Sequence, residues 1–255
     1  MHEDQRATIL KRLDHERQTV VYPGVTHIYE PGMVKDIYDG GESCDIAYSS
    51  CSESEVDDVI QRQIQAAREA NQSLEWKTYG HDRPPCLADR LTAAGFEAGD
   101  KEAFMVLLVK GNPEDQPRED IRRITTREGL KDYQTIREEV GGRDCGREIE
   151  GYAQMLENHP AYLSIYVAYI EGEPVACGRV YFHEQSQFAA LYGGNTRERF
   201  RKRGLFTALV ATRVREAMGR GIDQVCVDAL PTSEPILRKL GFEPLTITQP
   251  FTYPF

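Results

Sequence analysis

Apolar positions in the second half of the chain follow two different periods. Leu163–Ile170 (LSIYVAYI) and Val175–Phe182 (VACGRVYF) are rich in β-branched and aromatic residues and are separated by Glu-Gly-Glu-Pro, which predicts two adjacent antiparallel strands with a tight connection. Phe188–Tyr192 (FAALY) is a shorter run that ends at Gly193 and Gly194. From Leu205 the period lengthens: Leu205, Phe206, Leu209, Val210, Val214, Ala217 and Met218 recur mostly at three and four positions, a long helix stopped by Gly221. Asp223–Leu230 then predicts a buried strand, Thr232–Leu240 a short helix and Phe242–Thr248 a final strand. Ahead of these, Ile121–Thr125 predicts a strand, and Gly129–Glu139 and Gly146–Glu157 two helices.

The first half repeats the last section of this order. Ser54–Ala70 predicts a helix with Val56, Ile60, Ile64 and Ala67 on one face and Ser52 or Ser54 as its cap. Leu74–Tyr79 predicts a strand, Cys86–Ala94 a short helix and Phe104–Val109 another strand. Leu91–Glu97 ends in Gly-Phe-Glu, as does Leu237–Glu243, each after a short amphipathic helix, which points to an internal duplication. Between the halves, Lys110–Asp120 (KGNPEDQPRED) is almost devoid of apolar residues and is the linker candidate. The expected division is therefore residues 1–115 and 116–255.

Composition narrows the function classes. A formal charge of -10 over 255 residues repels polyanions, so general nucleic-acid binding is disfavoured and a cationic small substrate is favoured. No apolar run approaches the ~20 residues of a membrane span. The start, MHEDQRATILKRLDHERQ, lacks the apolar core of a leader, so a cytoplasmic location is expected. The 6 Cys and 6 His are scattered without C-x-x-C or H-E-x-x-H spacing, so neither disulfides nor a metal is expected.

One segment breaks the acidic balance. Arg197–Arg203 (RERFRKR) follows the strand ending at Gly193-Gly194 and precedes Gly204 and the long helix. Unpaired N–H groups and the positive end of a helix beside Arg201 and Arg203 favour an anion such as a pyrophosphate. Gly204 would let the backbone approach phosphate oxygens with no side chain in the way. A basic solvated loop leading into an ordinary helix is the plainer alternative.

These features in register resemble the GNAT superfamily of N-acetyltransferases over about Ile121–Phe251. The family's coenzyme A loop, Gln/Arg-x-x-Gly-x-Gly/Ala, is similar to Arg201-Lys202-Arg203-Gly204-Leu205-Phe206, and SEPILRKLGF looks like its closing motif. The resemblance implies an α/β fold with a mixed, mostly antiparallel central sheet flanked by helices, plus a partial second GNAT-like lobe. It implies acetyl-CoA as cosubstrate and an amine acceptor, with acetyl moved to a primary amine by direct attack. It assigns the pyrophosphate to Arg201, Lys202, Arg203, Gly204, Leu205, Phe206 and Thr207. The pantetheine arm falls to the splayed strand end, Tyr192, Gly193, Gly194, Asn195 and Thr196, and the opposite wall to Ser233, Ile236 and Leu237. Two departures stand out: Phe206 replaces a small residue, so that the local backbone is looser or the ring points into the helix's core face, and Leu237 stands where many members carry an acid Tyr. Asp228 and Tyr192 are the nearest titratable groups for a catalytic role, against the plainer readings of a cap and a packing residue; His183 is a further, weaker candidate. The first half carries the acidic Ser49–Asp58 stretch before its helix, which would repel a pyrophosphate, so that half is expected to be degenerate. Trp76, Tyr79, His81 and Asp82 form a polar-aromatic cluster there, either touching the acceptor or packing the domain. The rival reading is a non-catalytic coenzyme A sensor or interaction module on a duplicated scaffold.

Overall fold

The computed structural model describes residues 1–109 and 120–255, so the expected linker lies outside the described residues except for Asp120. The first half runs α1 (Glu3–Thr19), β1 (Val25–Glu30), β2 (Met33–Tyr38), β3 (Ser43–Ser49), α2 (Val56–Glu69), β4 (Ser73–Tyr79), α3 (Leu87–Ala93), β5 (Glu97–Ala98) and β6 (Glu102–Leu108). The second runs β7 (Ile121–Ile124), α4 (Leu130–Gly141), α5 (Gly146–Asn158), β8 (Leu163–Ile170), β9 (Glu173–Phe182), β10 (Phe188–Thr196), α6 (Leu205–Gly219), β11 (Gln224–Ala229), α7 (Glu234–Lys239) and β12 (Glu243–Tyr253). Three antiparallel strands, a helix, a strand parallel to the third, a short helix and a further strand occur in both halves, at β1–β6 and at β8–β12. The repeat is thus longer than the sequence pattern suggests.

The described residues form two compact units, Met1–Met105 with Asp228–Pro235 and Glu243–Phe255, and Val106–Val227 with Ile236–Phe242. Compactness and chain order differ at the strand ends: β12, last in the chain, belongs to the first unit, and residues 106–108 of β6 to the second.

In the first unit β1, β2 and β3 form an antiparallel meander, β4 is parallel to β3, and β12 is antiparallel to β4 with Thr248 opposite Tyr79 and Phe251 opposite Trp76. Helix α2 buries Val56, Val59, Ile60, Ile64 and Ala67 at three- and four-residue spacing against Ile46, Leu74 and Trp76. The indole N–H of Trp76 donates to Ser49 Oγ at 3.1 Å, so the largest core side chain leaves no polar atom unpaired. The expected Ser cap on α2 does not form: the N-cap is Glu55, whose carboxylate accepts from the Ser52 N–H and hydroxyl.

In the second unit β7, β8, β9 and β10 are antiparallel neighbours and β11 is parallel to β10. Alternation along β8 separates two layers. Leu163, Ile165, Val167 and Tyr169 pack with Leu130, Tyr133 and Ile136 of α4 and Tyr152 of α5. Ser164 and Tyr166 face the other way and donate to Glu216 of α6 at 2.8 and 2.9 Å. Each unit is mixed α/β with a mostly antiparallel sheet flanked by helices, the expected class.

Candidate functional site

Strand β10 pairs regularly with β9 from Ala189↔Phe182 to Tyr192↔Arg179, and the next pair is Asn195↔Cys177. One extra residue on β10 makes a bulge, which parts the two strands. Gly193 occupies it at φ +58°, and a Cβ there would lie 2.2 Å from Arg179 Nη1 and 3.0 Å from Tyr133 Oη, so conformation and close approach both require glycine.

A buried arginine holds the point of parting. Arg213 of α6 is 2% exposed, donates from Nε to its own helix at Leu209 O (3.0 Å), and reaches from Nη1 to Arg179 O (3.0 Å) and Tyr192 O (3.3 Å). Those two carbonyls belong to the last regular pair before the bulge. Burial pulls the Arg213 guanidinium down to about 10.

Beyond the bulge, Asn195 Nδ2 donates to Gly193 O at 2.9 Å, and Thr196 O accepts from Arg201 Nε at 3.3 Å, which ties the strand end to the basic loop. The Thr196 hydroxyl is buried with no hydrogen-bond partner among the described residues. Within the loop Arg197 and Arg199 are ion-paired, the first with Glu139 and Glu173 and the second with Glu173. Arg201, Lys202, Arg203 and Gly204 are exposed and make no salt bridge among the described residues. Lys202 and Gly204 lie at φ +63° and +74°, and Gly204 is the N-cap of α6. The first turn of α6 has no side-chain cap and no acidic residue. The corresponding helix of the first half, α2, carries Asp57 and Asp58 in its first turn behind Glu55. Of the two helix starts, only the second leaves its N–H groups and positive end uncompensated.

Leu205 is buried and anchors the turn, and Thr207 is half-buried. Phe206 resolves toward the sheet: a Cβ on Gly194 would lie 2.8 Å from its ring, so the ring lies against β10 at Gly194. In the closing helix Ile236 is exposed and Leu237 fully buried, while Ser233 Oγ donates to Leu230 O at 3.2 Å.

The two titratable candidates have different surroundings. Tyr192 is 40% exposed beside the bulge, with its ring edge-on to Tyr181 at 5.6 Å. Asp228, in the first unit, accepts from Lys77 Nζ at 2.5 Å and Thr248 Oγ1 at 2.8 Å, so both its oxygens are engaged. His183 Nδ1 accepts from the Gln185 N–H in a turn. In the first-half cluster Trp76 is core, while Tyr79 and Asp82 enclose Arg17: its guanidinium lies 3.8 Å over the Tyr79 ring and donates to Asp82 at 2.8 and 3.1 Å. Asp14, His81 and Asp82 bring ligand-type atoms within 4.8 Å of one another, but Arg17 already supplies the cation between Asp14 and Asp82.

Sequence reasoning missed Arg179 and Arg213. Arg179 interrupts an apolar strand and Arg213 stands in the buried row of α6 with Leu209, Val210 and Ala217, so a charged residue at a core period was the available signal.

Residues 121–242 match the Acetyltransferase (GNAT) family. This segment is a GNAT acetyltransferase domain. Solved structures extend the likeness over the rest of the chain. A GCN5-related N-acetyltransferase from Kribbella flavida is 14% identical, with 99% of this chain and 95% of that one covered at a TM-score of 0.68. A functionally unknown conserved protein from Staphylococcus epidermidis is 14% identical over 91% of this chain and 95% of its own, TM-score 0.64. A tandem GNAT protein from the clavulanic acid biosynthesis pathway is also 14% identical, over 98% and 95%, TM-score 0.56. Likeness at these identities is one of fold, and it reaches beyond the GNAT domain into the first half. No curated protein matches the sequence. Among the described residues no helix is long and apolar enough to cross a membrane.

Proposed function

We propose that the protein transfers the acetyl group of acetyl-CoA to a primary amine by direct attack, using residues 116–255, with residues 1–115 a degenerate GNAT-like copy. The observation that carries this reading is the bare start of α6, with Arg201, Lys202 and Arg203 in no salt bridge among the described residues beside left-handed Gly204, next to a strand bulge. The N–H groups of Leu205, Phe206 and Thr207 and the three cations suit the pyrophosphate; the parted strand at Tyr192–Thr196 suits the pantetheine amides, which need backbone partners. On the family resemblance alone, Ser233, Ile236 and Leu237 are assigned to coenzyme A as well.

Acetyl-CoA supplies an activated carbonyl as cosubstrate. The neutral amine nitrogen attacks the thioester carbon, the C–S bond breaks, the amine gives up one proton and the thiolate gains one, leaving an N-acetyl amide and free coenzyme A. N–H groups freed at the bulge stabilise the developing oxyanion. Tyr192, exposed at that point, is assigned the proton transfer; Asp228 takes a part as base only when its pair with Lys77 opens.

Calorimetry with acetyl-CoA on the full chain tests the reading. Wild type binds, and Arg201→Ala/Arg203→Ala binds on the order of 10–100-fold more weakly, since two solvent-exposed charge-assisted contacts are together worth about 1.4–2.8 kcal/mol. Absence of binding by the wild type refutes it, and tight binding with no turnover on any amine favours the non-catalytic module.

A further inference from the structure

A second charged feature adjoins the bulge. Arg179 of β9 is enclosed by four tyrosines: its Nη1 donates to Tyr133 Oη at 2.9 Å and its Nε to Tyr181 Oη at 3.1 Å, and its Cζ lies 5.0 Å from the Tyr152 ring centroid and 5.6 Å from that of Tyr192. Arg137 of α4 belongs to the same cluster and donates from Nη2 to both oxygens of Glu148 at 3.1 and 3.2 Å. The same carboxylate lies 3.8 Å from Arg179 Nη1 and accepts from the Tyr152 phenol.

Two guanidiniums therefore share one carboxylate. Burial opposes the charge on Arg179, yet the surrounding phenols of Tyr133, Tyr181 and Tyr152 more than offset it and its pKa is raised; Glu148, despite its own desolvation, is held below the ordinary range by Tyr152, Arg137 and Arg179. Arg179, Arg137 and Glu148 together carry a net single positive charge, and Arg213, bonded to the Arg179 carbonyl, adds a further cation beside them, in a chain of net -10. The Arg137 Nε is moreover buried without a hydrogen-bond partner among the described residues. Two guanidiniums facing a single carboxylate leave a position for a second anion. The cluster is not sealed from solvent: the Arg179, Arg137 and Glu148 side chains are 12%, 20% and 29% exposed.

We infer that Arg179 and Arg137 bind a carboxylate on the acceptor, which makes the acceptor a free amino acid or a similar amine bearing one carboxylate. This rests on the acetyl-transfer reading, because Arg179 lies against the bulge at Gly193 that the reading assigns to the thioester. A planar guanidinium matches a carboxylate in a two-bonded fork.

The test is coenzyme A release by the full chain with matched pairs, each amino acid against its decarboxylated amine: lysine with cadaverine, ornithine with putrescine, tyrosine with tyramine, and the other standard amino acids likewise. The expected result is a 10–100-fold higher kcat/KM for the acid-bearing member of the accepted pair, the worth of a charge-assisted hydrogen bond pair. In Arg179→Met that preference falls to near one with acetyl-CoA affinity unchanged by calorimetry, and Arg179→Lys keeps part of it. Equal or better turnover of the decarboxylated members by wild type overturns the inference, as does turnover of neither while acetyl-CoA binds. Failure of acetyl-CoA to bind is a separate result, which removes the underlying reading instead.

Discussion

Replacing Arg213 by Met isolates what a buried guanidinium does for the bulge. Burial pulls the Arg213 pKa down to about 10, a cost on the order of 3 kcal/mol at neutral pH that the variant no longer bears. Against this, the Arg179 and Tyr192 carbonyls lose their donor, at about 1–3 kcal/mol each when left unsatisfied. The opposing terms nearly cancel, so denaturant melts should show a net loss under about 3 kcal/mol and a folded protein. Activity does not share the cancellation. Without the arginine nothing pins the last regular pair of β9 and β10, so kcat should fall at least about tenfold, because a misplaced reacting group is costly even when binding survives. Acetyl-CoA affinity, which the proposed function assigns to the loop and the α6 start, should change less than about threefold, a difference under 1 kcal/mol. Wild-type kcat in a folded Arg213→Met protein would refute the reasoning. Arg213→Lys is a useful companion, since one ammonium does not reproduce the fork that serves both carbonyls.

Two glycines should respond differently to alanine. At Gly204 a Cβ meets nothing within 4 Å, so the left-handed conformation alone costs about 1–2 kcal/mol and acetyl-CoA binding weakens more than stability. Gly193→Ala adds a clash with Arg179 and should lower kcat and the thermal midpoint together, measured by steady-state kinetics and calorimetry. Asp228→Asn breaks the pair with Lys77 and should cost about 1–3 kcal/mol in denaturant melts with kcat within threefold; a hundredfold loss in the folded variant makes Asp228 the base. Asp45 carries a pKa raised to about 6, chiefly by burial. The folded state then binds protons more readily than the unfolded one, so this group's contribution falls as pH rises from about 4 to 6. Asp45→Asn should stabilise by roughly 1–3 kcal/mol at pH 7 and by little at pH 4, read from denaturant midpoints.

The parts of the chain that follow a clean period were legible. Leu163–Ile170 matches β8 residue for residue, and Ser54–Ala70 and Phe188–Tyr192 lie on α2 and β10, because apolar burial on one face dictates both pattern and structure. Helix α1 and strands β1–β3 were not anticipated. The buried row of α1 includes Glu16 and Arg17 with Ile9 and Leu13, and β2 and β3 place Asp36 and Asp45 opposite one another, so charge hides the period. At the candidate site the basic loop before Gly204 was visible as an anomaly of charge against a glycine. The arginines behind it were not, since their partners, Tyr133, Glu148 and Tyr152, come from α4 and α5 and are assembled only by folding.

The placement of β12 in the first unit has a consequence for how the protein is made. Thr78 and Gln249, bonded through a side chain across β4 and β12, are 171 residues apart in sequence. During synthesis the first unit waits, with the edge of β4 and the apolar surface later covered by Phe251 exposed, until nearly the whole chain has left the ribosome. Closing so long a loop is slow, and an open strand edge invites aggregation in the meantime. Cutting the gene between the halves would therefore yield an N-terminal fragment lacking the strand that completes its sheet. Supplying residues 236–255 in trans should rescue its solubility.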